Sequence, residues 1–127
     1  MQKFLLILVV GCGGFIGASL RYVISLNSAK TFGVDFPYGT LIANIIGAII
    51  IGLVMELSLN SSLITPNVRL FLTTGMMGGL TTFSTFSFET VAMIMNGNAI
   101  VGSINIILNL GLSLVGVVIG QYIARLV

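Results

Sequence analysis

The sequence has no histidine, a single cysteine and only three acidic residues, Asp35, Glu56 and Glu89. Without histidine, and with no carboxylates spaced to share an ion, the usual ligand sets for a catalytic metal are missing. General-base chemistry lacks its usual residues for the same reason. Cys12 has no partner for an intramolecular disulfide and reads as a small packed residue in an apolar run. Five basic residues and a net charge of +2 are too sparse for a nucleic-acid footprint.

Charge of either sign is scarce. Charged residues make up 6% of the 127, against about 25% in a soluble domain. Hydrophobic residues make up 57%, and the mean hydropathy is +1.18. A water-facing surface cannot be built from this composition, so the surface is expected to face lipid. The N-terminal MQKFLLILVV has the charge and apolar stretch of a signal peptide. It leads into more apolar sequence rather than a soluble domain, so this segment reads as a first span.

Four apolar segments fall at about Phe4–Ser25, Tyr38–Leu59, Val68–Met95 and Ala99–Leu126. Each reaches the roughly 20 residues that cross a hydrocarbon core of about 30 Å. The expected architecture is an all-α membrane protein, with residues 1–127 forming a single four-helix transmembrane domain. Charges punctuate the spans: 17 uncharged residues run from Phe4 to Leu20 before Arg21, and 19 separate Arg69 from Glu89. With four spans, Lys3, Arg69 and Arg125 share one side of the membrane, and Arg21 and Lys30 the other. Three against two is almost no bias, and that bias normally sets orientation. The balance predicts dual topology, with copies inserted both ways up, which makes antiparallel dimers possible.

The third span is the unusual one, RLFLTTGMMGGLTTFSTFSFET. Its glycines Gly75, Gly78 and Gly79 lie between hydroxyl clusters. Glycine frees the backbone and threonine competes for its hydrogen bonds, so a break is expected near residues 75–82. A break at membrane depth leaves backbone polar groups that are tolerated only inside protein or beside water, where they can bind ions. Close helix packing is the alternative account of the glycines.

Phe83 and Phe86, three residues apart, share a helix face. They are either packing residues or, through the positive edges of their rings, a lining for an anion path. In the second span, Asn44 is a costly amide that must face protein or a pore. In the first, Gly13 and Gly17 favour close helix approach, and Arg21 either snorkels, pairs with a carboxylate or holds anions at a vestibule. In the fourth, Asn105, Asn109 and Ser113 recur at intervals of four and form one polar stripe. The stripe is expected to face a water-filled groove rather than another helix.

GGFIGASLRY, GTLIANIIG and above all GGLTTFSTFSFE resemble the Fluc (CrcB-type) fluoride channels of bacteria, along the whole chain and in order. The resemblance implies a fluoride-selective channel rather than an enzyme, exporting fluoride passively across the bacterial cytoplasmic membrane. It implies an antiparallel, dual-topology homodimer with two pores. By motif position it maps the pore phenylalanines to Phe83 and Phe86 and the pore asparagine to Asn44. Ser84 and Thr85 become contributors to the fluoride path, and Arg21 a vestibule residue. A central structural sodium would be held by the backbone carbonyls of Gly78 and Thr81. The family's fourth span commonly carries a tyrosine and serines, where this chain has Asn105, Asn109 and Ser113. That departure keeps hydrogen-bonding character but changes the groups.

Two other readings compete. A small proton-coupled exporter needs a membrane-embedded carboxylate, whereas Glu56 and Glu89 are expected near helix ends. A non-transporting anchor subunit would leave the polar stripe and the broken helix without a purpose.

Overall fold

The computed structural model describes all 127 residues and is all-helical. Its elements are α1 (Gln2–Phe32), α2 (Tyr38–Asn60), α3 (Pro66–Leu70), a π-helical stretch (Phe71–Met77), α4 (Gly78–Leu80), α5 (Phe83–Met95) and α6 (Ala99–Arg125). Three of them, α1, α2 and α6, are long and apolar enough to cross a membrane. At 1.5 Å per residue even α2 reaches about 35 Å. The third span is assembled from pieces, and no piece alone would cross.

Local chemistry sets the boundaries. Gly33 ends α1 with φ +84°, its N–H donating to the Ala29 carbonyl at 3.0 Å. Pro37 then precedes the first residue of α2, at a position where a missing N–H is harmless. Thr65 caps α3 by accepting from the Val68 N–H, with Pro66 opening the first turn. Between α5 and α6 the chain reverses through Asn96–Asn98, and Gly97 supplies the left-handed residue of that turn. The first helix runs past Ser25 to Phe32, so it continues eleven residues beyond Arg21.

Only 23 of the 127 residues are buried. Most of the hydrophobic side chains face outward, as lipid requires and water would not permit. The small interior centres on Ala43, Met77 and Leu80, with Ile24, Ile50, Ile51 and Met76 packed against it.

Helices meet in two parallel pairs built on glycine. Gly13 and Gly17 of α1 oppose Gly75 and Gly79 of the third span: a Cβ on Gly17 would run into the Met76 carbonyl, and one on Gly79 into the Gly14 carbonyl. The second pair is α2 with α6, where Gly52 lies against the Val117 backbone and Gly120 against the Ile49 backbone. Glycine at these crossings lets backbones approach closely enough for van der Waals attraction, the main driving force between helices in lipid. At one end, Arg125 Nε donates to Glu56 Oε1 at 2.8 Å, and Asn60 Nδ2 donates to the same oxygen at 3.0 Å.

Candidate ion pathway

The third span breaks at Thr81 and Thr82, which both take extended backbone (ψ 156° and 118°). Upstream the π-helical stretch and α4 keep the chain coiled; downstream α5 starts afresh at Phe83. In an unbroken helix the Thr82 N–H would donate to the Gly78 carbonyl, and the Thr85 N–H to that of Thr81. Here the Thr82 N–H donates to Asn44 Oδ1 at 2.8 Å, and the Thr85 N–H to Thr82 Oγ1 at 3.1 Å. Both carbonyls are thereby deprived of their helical partners. These are the carbonyls that the family resemblance assigns to a sodium ion, and neutral oxygens of this kind suit a hard cation. Two from one chain do not complete a coordination shell.

Asn44 clamps the break. Besides accepting from the Thr82 N–H, it donates through Nδ2 to the Thr82 carbonyl at 3.3 Å and to Asn109 Oδ1 at 2.9 Å. Both of its N–H bonds therefore stay within the chain. Asn109 Nδ2 donates in turn to Asn105 Oδ1 at 2.9 Å, and Asn105 Nδ2 to Thr90 Oγ1 at 2.9 Å. Thr90 Oγ1 donates to the Phe86 carbonyl at 2.7 Å. Asn105 is fully buried and Asn109 nearly so, at 0% and 4% exposure. This differs from the water-filled groove expected for the whole stripe: Asn105 faces α5, because a partner for its amide is supplied there by Thr90.

Beside this chain of amides lies an open groove of about 440 Å³ between α2, the break, α5 and α6. It brings together Asn44, Thr81, Thr82, Phe83, Phe86, Asn109 and Ser113, with apolar walls from Ile51, Leu110, Leu114 and Val117. The rings of Phe83 and Phe86 lie 5.5 Å apart, inclined at 56°, an arrangement that turns an edge towards a neighbouring face. Phe86 is buried, whereas Phe83 is 74% exposed at the groove's margin. Ser84 and Thr85 are exposed and do not line the groove. Arg21 is half-buried one turn beyond Gly17 and makes no side-chain hydrogen bond or ion pair in the chain. Of the third-span hydroxyls, Thr73, Thr81 and Ser87 donate back to carbonyls four residues earlier, which satisfies them locally.

Residues 8–121 match the family described as CrcB-like protein, Camphor Resistance (CrcB). The chain belongs to the CrcB family. It is 67% identical over 126 residues to the fluoride-specific ion channel FluC of Clostridium perfringens (strain ATCC 13124), covering 99% of this chain and 98% of that protein. It is 62% identical over 127 residues to the FluC of Clostridium novyi (strain NT), covering 100% and 99%. The FluC of Ruminiclostridium cellulolyticum is 45% identical over 127 residues, covering 98% and 96%. A CrcB-family chain is a membrane channel component and not an enzyme, in keeping with the missing acid–base pairs.

One contact in this CrcB-family chain has no signal in the sequence. The distance of Glu89 from Arg69 predicts a place near an interface. Glu89 accepts from Thr40 Oγ1 at 2.9 Å, in the first turn of α2, and its Oε2 is buried without a partner. The two residues, with Ser25, Asp35, Tyr38 and Phe88, line a second cavity of about 330 Å³ where α1, α2 and α5 meet. Thr40 and Thr90 are unremarked in the sequence pattern; each is identified only by what the fold sets opposite it.

Proposed function

We propose that this protein is a fluoride channel that lets the anion leave the cytoplasm passively. The observation that carries the reading is the groove in which Phe83, Phe86, Asn44 and Asn109 meet beside a helix break. It offers amide and hydroxyl polarity and ring edges, but no lysine or arginine. Fluoride gives up a tightly held hydration shell, so the path must replace water with donors. It must also release the ion, which several neutral groups permit and a buried cation would hinder. The inside-negative potential drives an anion outward by about 2.3 kcal/mol per 100 mV. Neutral acid that enters from acidic surroundings ionises inside, and an open exit is enough to discharge the fluoride.

The working unit we propose is an antiparallel homodimer of dual topology in the bacterial cytoplasmic membrane, with two pores. Exposed Phe83 supports this, since a second copy would cover it and close the open side of the groove. Gly78 and Thr81 would hold the sodium, and a second copy would double the two freed carbonyls. The ion supplies a fixed positive centre that keeps the subunits in register. Arg21 concentrates anions at the vestibule, and the exposed hydroxyls of Ser84 and Thr85, outside this chain's own groove, would reach the path only across the proposed dimer.

The test is efflux from liposomes loaded with fluoride or chloride, carrying reconstituted protein at low density and started with valinomycin. Rapid loss of fluoride alone, abolished by Phe83→Ile and Phe86→Ile, is the expected result. No fluoride loss from well-folded protein would overturn the proposal. Replacing Glu56 and Glu89 together by glutamine separates the exporter reading: a proton-coupled exporter stops, and a channel still conducts.

A further inference from the structure

The orientations of three asparagine amides in this protein are set by one backbone N–H. The Thr82 N–H, released by the break, can meet only an oxygen, so Asn44 turns Oδ1 towards it (2.8 Å) and Nδ2 towards Asn109 (2.9 Å). Asn109 must then present Oδ1 to Asn44 and Nδ2 to Asn105, which presents its own Oδ1 (2.9 Å) and sends Nδ2 to Thr90 (2.9 Å). The Thr90 hydroxyl closes the chain on the Phe86 carbonyl (2.7 Å). The asparagine side-chain nitrogens therefore all donate within the chain, and Asn44 has no N–H left for an anion. Asn105, at 0% exposure, touches no part of the groove.

We infer that Asn105 and Thr90 are positioning residues for the fluoride path, allowing Asn109 to exchange its carbonyl oxygen for its N–H beside Asn44 when an anion arrives. The inference rests on the channel reading proposed for this groove. An asparagine amide carries its acceptor and its donors on opposite arms of nearly equal shape, so a half-turn reverses its polarity without changing its volume. When Asn109 turns, its Nδ2 and that of Asn44 both face the anion, which replaces Asn109 Oδ1 as acceptor. Asn105 turns with it and donates to Asn109 Oδ1. The Thr90 hydroxyl, which can rotate freely, then moves its proton from the Phe86 carbonyl to Asn105 Oδ1.

Both directions leave every asparagine amide paired, which is decisive at a buried site where an unpaired polar group is heavily penalised. Two backbone carbonyls, those of Phe86 and Asn105, each lose one added side-chain bond, and both already lie inside helices. Departure of the anion restores the resting direction, so the site binds and releases without a fixed charge. Asn44 stays anchored to Thr82 throughout.

Side chains that cannot reverse remove the device. In Asn105→Leu, Asn109 Nδ2 keeps its second acceptor, the Asn105 carbonyl at 3.2 Å, and its resting orientation is locked. Fluoride efflux through Asn105→Leu and Thr90→Val is expected to fall about tenfold or more, the factor that one uncompensated hydrogen bond of about 1.4 kcal/mol sets. Thr90→Ser keeps the hydroxyl and conducts like the unaltered protein. A second measurement needs no altered chain: side-chain amide signals of isotopically labelled asparagine, followed by NMR in lipid nanodiscs during fluoride and chloride titrations. Fluoride, and not chloride, is expected to move the Asn44, Asn109 and Asn105 signals with one midpoint, although Asn105 is out of reach of the ion. A stationary Asn105 signal beside a moving Asn44, or wild-type flux through Asn105→Leu, overturns the inference while leaving the channel intact. Absence of fluoride flux through the unaltered protein overturns the channel reading itself, and this inference with it.

Discussion

Upstream of Thr81 the third span leans on α1 through glycine, whereas downstream of it α5 is tied to α2 and α6 by side-chain hydrogen bonds. The first half is a dry seam in which Gly75 and Gly79 meet Gly13, Gly14 and Ala18 backbone to backbone. Its hydroxyls are idle: Thr74 is exposed, and Thr73 is satisfied by the Arg69 carbonyl of its own helix. The second half has Asn44, Asn105 and Thr40 reaching across to Thr82, Thr90 and Glu89. One half thus tolerates no added volume, and the other no lost polarity. A path for ions needs both, a rigid wall on one side and adjustable partners on the other.

The sharpest way to break the comparison is to add a methyl group at a tight and at an open glycine of the first helix. Gly17→Ala is expected to destabilise the protein by about 3 kcal/mol or more, the upper part of the overpacking range, because the neighbour is a carbonyl that cannot move aside. Gly11→Ala, with open space around it, should be neutral or slightly stabilising through helix propensity. Thermal unfolding of the two variants in detergent decides this, and equal melting temperatures would mean that the seam tolerates volume after all.

Polarity is the corresponding weakness of the second half. Asn44→Leu leaves the Thr82 N–H without its acceptor and is expected to lose about 1–3 kcal/mol together with fluoride efflux. Efflux at the normal rate through a folded Asn44→Leu protein would show that the clamp is dispensable. A smaller difference separates the hydroxyls. Thr82→Val removes the cap of α5 and should lose about 1 kcal/mol, as helix-capping threonines do. Thr74→Val, exposed on the glycine half, should stay within about 0.5 kcal/mol of the parent. If the two variants melt alike, the halves do not differ as described. A modest loss is expected from Arg125→Gln: its own side chain is 66% exposed and Asn60 still donates to the Glu56 oxygen, so about 1 kcal/mol at most is at stake. Activity should be unchanged, and a large loss of either activity or stability would place Arg125 in a larger role than its exposure supports.

Much of the architecture was legible because lipid imposes simple rules. Long apolar runs became α1, α2 and α6, and Gly78-Gly79 with Thr81-Thr82 close behind announced the broken helix. What could not be read were pairings between residues far apart in sequence. Nothing local distinguishes Thr90, which holds Asn105, from Thr85, which holds nothing. Asn105 and Asn109 look alike in a helical stripe, yet one is enclosed by α5 and the other borders the groove. The glycines at 116 and 120 have the spacing of a packing motif, but it takes the parallel course of α2 and α6 to set Ile49 against them. Glu89 shows the limit most clearly, since counting residues gives its height along the span but not the Thr40 hydroxyl that meets it in the first turn of α2.

The break at Thr81 and Thr82 also has an electrical sense. Cutting a helix releases donors on one side and acceptors on the other in matched numbers. This protein satisfies two of the donors internally, the Thr82 N–H on Asn44 and the Thr85 N–H on the Thr82 hydroxyl, and leaves the carbonyls of Gly78 and Thr81 without their helical partners. The upstream edge of the break is therefore a negative pole, while the start of α5 keeps the positive end of its own dipole. One break thus sets two opposite preferences within a turn of each other, for positive charge at its upstream carbonyls and for negative charge beside Phe83.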